Sequence, residues 1–335
     1  MAKSSPARSA REQRVDGGVA LLQRALHDLV RQGLARSAGD GVLDELARRL
    51  VDAQAPGLAA AVSRLAQGTD PEALLLGLGR LHLLCDAWLS LGRLDAGLQA
   101  DVKAALGIAT PTAKVKAEGE VVHDVWAVVG QAIEVDELRD LHTTRTWLRG
   151  LRDGRSALHL AFVGGFGPGA RRAFARGRPG TDARPTMEDV DPNDVPLEVG
   201  TRFEGKLAYW PSAAPQRALV LERGEAEPLQ TSRLPGRGGI AEAQRAWAEL
   251  LAKQPFAWRT SAILGDVRVV QVAEGRGQIV DGDSALPYVT PYGLKLLALT
   301  GGHACDLVCE WDGRELRPLA VQQGPELIGL EAADA

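Results

Sequence analysis

The spacing of apolar residues changes near Thr110, and this change divides the chain into two kinds of structure. Before it, apolar residues recur every three or four positions, as they do on one face of a helix. After it, stretches rich in Val, Thr and Trp such as "VVHDVWAVVGQAIEV" favour strands, and the Asp-Gly pair in "RDGR" is typical of a hairpin turn. The pattern predicts an α+β protein, with a helical N-terminal half followed by a mostly antiparallel β-rich half with a few helices.

Local composition subdivides these two halves. The first residues are polar and rich in arginine, which predicts a disordered tail, and a long run of Gly, Pro, Arg and Asp after the first strands predicts a linker or a flexible insertion. The predicted segments are a tail over residues 1–14, a helical domain over 15–110, a β meander over 111–163, the linker over 164–197 and a β-rich α+β domain over 198–330.

The stretch "TDPEALLLGLGRLHLLCDAWLSLG" carries the clearest helix signal. Asp70 can cap the helix and Pro71 suits its first position. A predicted inner stripe follows at intervals of four and three residues, and further leucines widen it, so the helix is expected to be packed deeply. The stripe consists of Leu74, Leu78, Leu81, Cys85 and Trp88, and the residues that widen it are Leu75, Leu84 and Leu89.

The stretch "RRLVDAQAPGLAAAV" interrupts a helical pattern at its centre. Pro56 has no N–H for the carbonyl of Asp52, so the sequence predicts that one helix ends near Asp52 and another begins after the proline. A side chain at Asp52 or Gln54 would then satisfy the free amides of the second helix. We identify the polar corner Asp52, Gln54, Pro56 and Gly57 as the candidate interaction site, and a purely structural role for the same residues remains the alternative.

Composition indicates an intracellular protein that does not enter a membrane. The net charge of −4 gives no general attraction to nucleic acid, and three cysteines are too few for a disulfide framework. There is no apolar run of membrane-spanning length and no apolar segment behind the first charged residues, so the expected location is the cytoplasm.

The sequence offers weak candidates for a metal site and none for catalysis. His303, Cys305 and Cys309 have a spacing that is uncommon in zinc sites, and the two cysteines equally suit small apolar residues facing a core. No G-x-S-x-G or phosphate-binding loop occurs. We therefore predict no metal, no cofactor and no enzymatic activity, with an active site assembled from distant residues as the alternative.

Tryptophans interleaved with arginines leave nucleic-acid binding open as another alternative. In "TTRTWLRGLR", Trp147 could stack on single-stranded bases beside Arg145 and Arg149. The competing interpretation packs Trp147 on a sheet whose other face carries solvated arginines, although the three residues share strand parity. Parity alone leaves the direction of these side chains unresolved.

Several stretches resemble bacterial SWIM zinc finger family proteins, in the region C-terminal to the finger. They are "LHDLVRQGLA", "ARRLVDAQAPGLAAAVSRL", "LLGLGRLHLLCDAW", "VWAVVGQAIEVDELRDLHTTRTWLRGLRDGRSALHLAF", "LAYWPSAAPQRALV" and "LLALTGGHACDLVCEWDGRELRPLAV". The family's finger uses a C-x-C pair followed by C-x-H, and this sequence contains neither. Zinc binding therefore cannot be assigned to any residue here, and the chain is similar to a member that lacks the finger.

The resemblance implies a function in protein assemblies. SWIM fingers are associated with DNA or protein binding, and bacterial members occur beside MoxR-type ATPases and von Willebrand A domain proteins. The resemblance thus implies an accessory or adaptor protein that binds such an ATPase, such a von Willebrand A protein, or a separate chain that carries the finger.

Overall fold

The computed structural model describes residues 10–32, 41–53, 55–66, 70–108, 110–136, 141–164, 192–193 and 195–331. The described chain has a helical N-terminal region followed by a mostly antiparallel β-rich half with a few helices, as the sequence predicts. It divides into two compact units. The helical unit comprises the described residues of Met1–Pro111 with Pro211–Ala214 and Lys253–Phe256, and the β unit comprises those of Thr112–Trp210, Pro215–Ala252 and Ala257–Ala335.

The described residues of the helical unit form five α-helices and a short 3-10 turn at Leu91–Arg93. The helices are α1 (Ala10–Gln32), α2 (Val42–Asp52), α3 (Pro56–Ala66), α4 (Pro71–Leu89) and α5 (Ala96–Ala105). Because α1 begins at Ala10, the prediction of a tail through residue 14 is wrong at its end. Val15 is buried in the helical core, which gives this first turn a reason to form.

Helix boundaries in this unit follow the local signals. The Asp70 carboxylate accepts a hydrogen bond from Glu72 N (3.1 Å), and Pro71 is the first residue of α4. The second helix ends at Asp52 and the third begins at Pro56, which confirms the predicted break. The residue before α3 is the buried Ala55, whose own side chain cannot cap. Gln54 lies outside the described residues, so capping by Asp52 or Gln54 stays a prediction.

Two short segments from the second half of the chain complete the helical unit. Buried Asp101 on α5 accepts hydrogen bonds from Ala213 N (2.9 Å) and from Gln254 Nε2 (3.0 Å). Phe256 joins the apolar core that all five helices share. Burial raises the pKa of Asp101 even though these hydrogen bonds favour its charged form.

The β unit is built from two curved sheets. Its described helices are α6 (Thr112–Glu118), α7 (Ile240–Lys253) and α8 (Gly293–Thr300), of which α6 is not predicted from the sequence. The first sheet contains β1 (Glu120–Asp136), β2 (Leu141–Gly150), β3 (Ser156–Gly164), β4 (Thr201–Tyr209), β5 (Ala218–Arg223) and β6 (Glu227–Pro228). The second contains β7 (Arg237–Gly238), β8 (Thr260–Ala273), β9 (Arg276–Asp281), β10 (Ser284–Val289), β11 (Cys305–Trp311), β12 (Leu316–Gln323) and β13 (Glu326–Gly329).

In each sheet, two strands that are not neighbours in the strand order also form hydrogen bonds or pair with one another. The first has the order β3-β2-β1-β4-β5, and Leu158 N on β3 donates to the Gln216 carbonyl (2.7 Å) just before β5. The second has the order β10-β9-β8-β11-β12-β13, and Tyr288 on β10 also pairs with Leu316 on β12, which closes five strands into a ring. The predicted meander over 111–163 is therefore not separate from the following segment, because β1 pairs with β4.

Four apolar clusters lie in the described part of the β unit, and the smallest packs Val115 against Ala208 and Leu219. One lies inside the first sheet around Trp126 and Phe203, and another lies inside the second sheet around Tyr288 and Trp311. The third joins residues of both sheets around Trp147. Most of the predicted linker, residues 165–191 and 194, lies outside the described residues, but Leu197 near its end is buried against the first sheet.

No helix of the described chain is long and apolar enough to cross a membrane.

Candidate functional site

The corner between α2 and α3 is held by close backbone packing. Ala55 N donates to the Leu50 carbonyl (2.9 Å), which continues the hydrogen bonding past the end of α2. A Cβ built on Gly57 would overlap the Leu106 carbonyl, so only glycine allows α3 to approach the end of α5 this closely. Gly57 therefore has a structural role, which is to permit the close packing of α3 against the end of α5.

The outer side of the same corner faces solvent. Asp52 and Pro56 are exposed, and Val51 next to them is 57% exposed. Gln54, the remaining member of the predicted interaction site, lies outside the described residues. The corner thus presents one carboxylate and two apolar groups to solvent, and its role in binding stays a prediction.

The outer face of α4 exposes more apolar surface than the sequence indicates. The predicted inner stripe is buried, and Leu84 is buried with it. The prediction that Leu75 and Leu89 are packed is wrong. The exposed leucines are Leu75 (56%), Leu76 (52%), Leu83 (47%) and Leu89 (60%). A helix that is apolar on all sides is expected to be buried, so this exposure calls for an explanation.

Contacts between α1 and α4 fix how the two helices run past one another. Trp88 Nε1 donates to Asp16 Oδ1 (2.8 Å), and Gln23 Nε2 donates to Asp86 Oδ1 (3.2 Å). Further along, the rings of His27 and His82 lie 6.0 Å apart between centroids. Residue numbers rise on α1 as they fall on α4, so the two helices are antiparallel.

The weak metal candidates do not come together as a site. Cys305 and Cys309 both face the apolar core inside the second sheet, and His303 is exposed in the preceding turn. Burial raises the pKa of Cys305 to about 11 and raises that of Cys309 further, so both thiols are poor sources of metal-binding thiolate. Within the described ranges, no group of three or more His, Cys, Asp or Glu side chains could hold a metal ion.

The arginine and tryptophan side chains of β2 point into the β unit. Arg145 binds Glu310 through two hydrogen bonds (2.8 and 3.0 Å), and Trp147 Nε1 donates to the same carboxylate (2.9 Å). Arg149 donates to the Gly154 carbonyl (2.9 Å). All three side chains leave the same face of β2, so the prediction of solvated arginines is wrong. This stretch does not form a stacking surface for nucleic acid.

Electrostatics at Glu310 favour a permanent charge. Burial opposes ionisation, but the hydrogen bonds and the positive charge of Arg145 outweigh it and lower the pKa of Glu310. Arg259 adds a further hydrogen bond (3.2 Å). The cluster has the composition of a structural ion pair, with each oxygen of the carboxylate occupied.

A groove of about 690 Å³ runs along the first sheet beside β3 and β5. His159 Nε2 lies 3.3 Å from Asn193 Oδ1, and the Asn193 side chain bonds both the N–H (2.8 Å) and the carbonyl (3.0 Å) of Val220. At one end, the Arg217 guanidinium lies 4.1 Å from the Trp210 ring centroid. These contacts attach residues near Asn193 to the sheet.

Comparison with known families bears on the helical unit. Residues 10–106 match the family model described as a SWIM-associated four-helix bundle domain. This region is a SWIM-associated bundle. The match confirms the resemblance for this region and ends before the β unit begins. No curated protein matches the chain.

The SWIM-associated bundle therefore contains both surfaces of interest. The α2–α3 corner was predicted from its polar residues and its proline. The exposed leucines of α4 are not predicted from the sequence, because an apolar side chain on such a helix indicates burial. Periodicity gives no signal for Leu75, Leu76 and Leu83, because apolar residues surround α4 and the buried side depends on how the other helices pack.

Proposed function

We propose that this protein is a non-enzymatic accessory protein whose SWIM-associated bundle binds protein partners. The observation that carries the proposal is the exposed apolar surface of the bundle, which includes Val51 at the corner and Leu75, Leu76 and Leu83 on α4. Neighbouring exposed apolar side chains such as Leu75, Leu76 and Leu83 are typical of a protein interaction site. The free cysteines Cys85, Cys305 and Cys309 support a place in the cytoplasm, where thiols stay reduced.

The family resemblance supports the identity of the partners. Bacterial SWIM proteins occur beside MoxR-type ATPases and von Willebrand A domain proteins, and a finger could be supplied by a separate chain. An adaptor needs a rigid platform and an accessible surface rather than reactive groups. The bundle offers both, since its core is shared by all five helices while the outer face of α4 stays exposed.

Affinity purification of the tagged full-length protein from its native cells tests this proposal. Mass spectrometry should identify a MoxR-type ATPase, a von Willebrand A protein or a finger-bearing chain in stoichiometric amounts. A protein that is recovered alone under conditions that preserve weak complexes would contradict it.

The predicted corner is tested in the same experiment. The double variant Asp52→Ala/Gln54→Ala should reduce partner recovery while the melting temperature stays unchanged, because Asp52 is exposed and makes no contribution to the core. If the double variant recovers the partner as well as the wild type does, the corner has only a structural role.

A further inference from the structure

We propose that the outer face of α4 receives an apolar helix of a partner protein whose ends carry basic residues. The surface consists of Leu75, Leu76, Gly79 and Leu83, and we call it the Gly79 notch. This inference rests on the proposed function, because it names the surface of the bundle and the chemistry of the partner.

The first argument is the glycine itself. A glycine inside an exposed helix costs about 1 kcal/mol relative to alanine. Gly77 has an internal reason, since a Cβ there would overlap the Leu65 side chain. Gly79 has none among the described residues, because outside its chain neighbours and the backbone of its own helix no atom lies within 4 Å of a Cβ built on it. The missing side chain at Gly79 therefore leaves room on the outside of the helix.

The second argument is the arrangement of the leucines around that room. Leu76 and Leu83 lie one turn before and one turn after Gly79 on the same side of α4. Leu75 borders the same turn. Side chains with this spacing form the kind of hole that accepts an apolar side chain of a facing helix. With glycine at the floor, a partner helix can approach closely and cover the exposed leucines.

The neighbouring helix extends this apolar surface. The contacts Gln23–Asp86 and His27–His82 define the antiparallel register of α1 and α4. Continuing that register by three residues on each helix brings Val30 level with Gly79. Val30 is 67% exposed, so the notch has an apolar wall on the α1 side as well.

The third argument is charge, and it decides the kind of partner. Glu72 and Asp86 are exposed and lie seven residues before and after Gly79, about two helical turns in each direction. The single arginine of α4, Arg80, donates to the Pro255 carbonyl (3.5 Å) within the helical unit. The outer face is thus apolar in the middle and has a carboxylate at each end, of which Asp86 also lies 3.5 Å from His82 Nε2 and accepts a hydrogen bond from Gln23.

A second copy of the chain would fit this face poorly. Antiparallel packing of two α4 helices about Gly79 would place Glu72 opposite Asp86, and parallel packing would place each carboxylate opposite its equivalent. Like charges meet in either orientation, which disfavours self-association. A helix with Lys or Arg two turns before and after an apolar centre would meet opposite charges at both ends.

The test uses the full-length protein and two synthetic helical peptides of equal length. Both carry the same leucine-rich centre; one has lysines and the other glutamates seven residues before and after it. Fluorescence anisotropy should show that the lysine peptide binds at least ten times more tightly than the glutamate peptide. In the variant Glu72→Lys/Asp86→Lys the preference should reverse.

Three further variants locate the binding. Leu76→Gln/Leu83→Gln should weaken binding of the lysine peptide at least tenfold, and Gly79→Leu should do the same by filling the notch. The matched control is Leu294→Gln, a leucine on α8 of the β unit that is even more exposed (71%), and this variant should leave binding unchanged. All variants are first compared with the wild type by circular dichroism.

Several outcomes would overturn the proposal. These are equal affinity for the two peptides, binding that the notch variants do not change, and a dimer of the wild type that the notch variants abolish. Partner co-purification that persists in Leu76→Gln/Leu83→Gln would refute the notch and leave the proposed function intact. Binding of the lysine peptide with no co-purified partner would support the Gly79 notch and contradict the proposed function.

Discussion

The side chains of Arg145 and Glu310 form a bidentate ion pair that joins the two sheets of the β unit. Arg145 is on β2 of the first sheet and Glu310 is on β11 of the second, with the Glu310 carboxylate only 2% exposed. Its oxygens also accept hydrogen bonds from Trp147 and Arg259. Removing Glu310 leaves the buried Arg145 guanidinium with the half-exposed Glu134 carboxylate as its remaining ionic partner, so most of its burial cost is no longer offset.

Replacing Glu310 by alanine is therefore expected to destabilise the β unit strongly. Arg145, Arg259 and the Trp147 N–H would lose a shared acceptor, at a cost of about 3 to 5 kcal/mol. Urea unfolding followed by tryptophan fluorescence measures the change. The double variant Arg145→Met/Glu310→Leu should recover most of the loss, because it removes both buried charges. A loss under 1 kcal/mol in the single variant would contradict the buried pair.

The lowered pKa of Glu310 also predicts an acid-sensitive β unit. A carboxylate whose pKa is lower in the folded state contributes stability that is present above its unfolded pKa of about 4.3 and is lost as pH falls through the folded value. Hydrogen exchange of β2 and β11 amides should accelerate as the pH falls below about 4, after correction for the intrinsic rate. In Glu310→Gln this acceleration should be weaker. If the wild type and Glu310→Gln show the same pH dependence of exchange, Glu310 is not the cause of the acid sensitivity.

Gly57→Ala is expected to destabilise the helical unit. The new Cβ would press on the Leu106 carbonyl, and backbone atoms cannot move aside as a flexible side chain can. We expect a loss of about 1 to 3 kcal/mol, typical of overpacking. Gly17→Ala on α1 is the matched control, since a Cβ there meets no atom within 4 Å and should stabilise the helix slightly. Equal melting temperatures for the two variants would rule out the close approach at Gly57.

Gly77→Ala and Gly79→Ala should change stability in opposite directions. At Gly77 the new methyl group collides with Leu65, whereas at Gly79 it points into open space and removes the cost of glycine in a helix. The expected changes are a loss of about 1 kcal/mol or more and a gain of about 1 kcal/mol. Thermal unfolding followed by circular dichroism compares them. A loss of stability in Gly79→Ala would mean that the notch is occupied within the chain itself.

The sequence was informative where a single residue decides a local geometry. Pro56 fixed the end of one helix and the start of the next, and Asp70 with Pro71 fixed the start of α4. The hairpin turns at Gly154 and Gly313 have the positive φ angles that Asp-Gly pairs favour. In each case the signal and its effect lie within a few residues.

Long-range relationships could not be predicted in this way. The Arg145 side chain points toward Glu310 and the Arg149 side chain points toward Ser261, and both partners are far away in the sequence. The pairing of β1 with β4 crosses the segment that was expected to separate two domains. The exposure of Leu75 and Leu89 depended on which side of α4 the other helices occupy, which periodicity cannot show when apolar residues surround the helix.

The hydrogen bonds of Asp101 bear on the order in which the chain can fold during synthesis. Its carboxylate meets Gln254, a residue 153 positions later, and Ala213, which is 112 positions later. When α5 leaves the ribosome, neither donor exists yet, and Phe256 is missing from the core. The bundle can collapse early, but its last contacts form only after most of the β unit has been translated. A nascent chain arrested before Gln254 should therefore show a bundle that is less resistant to protease than the finished protein.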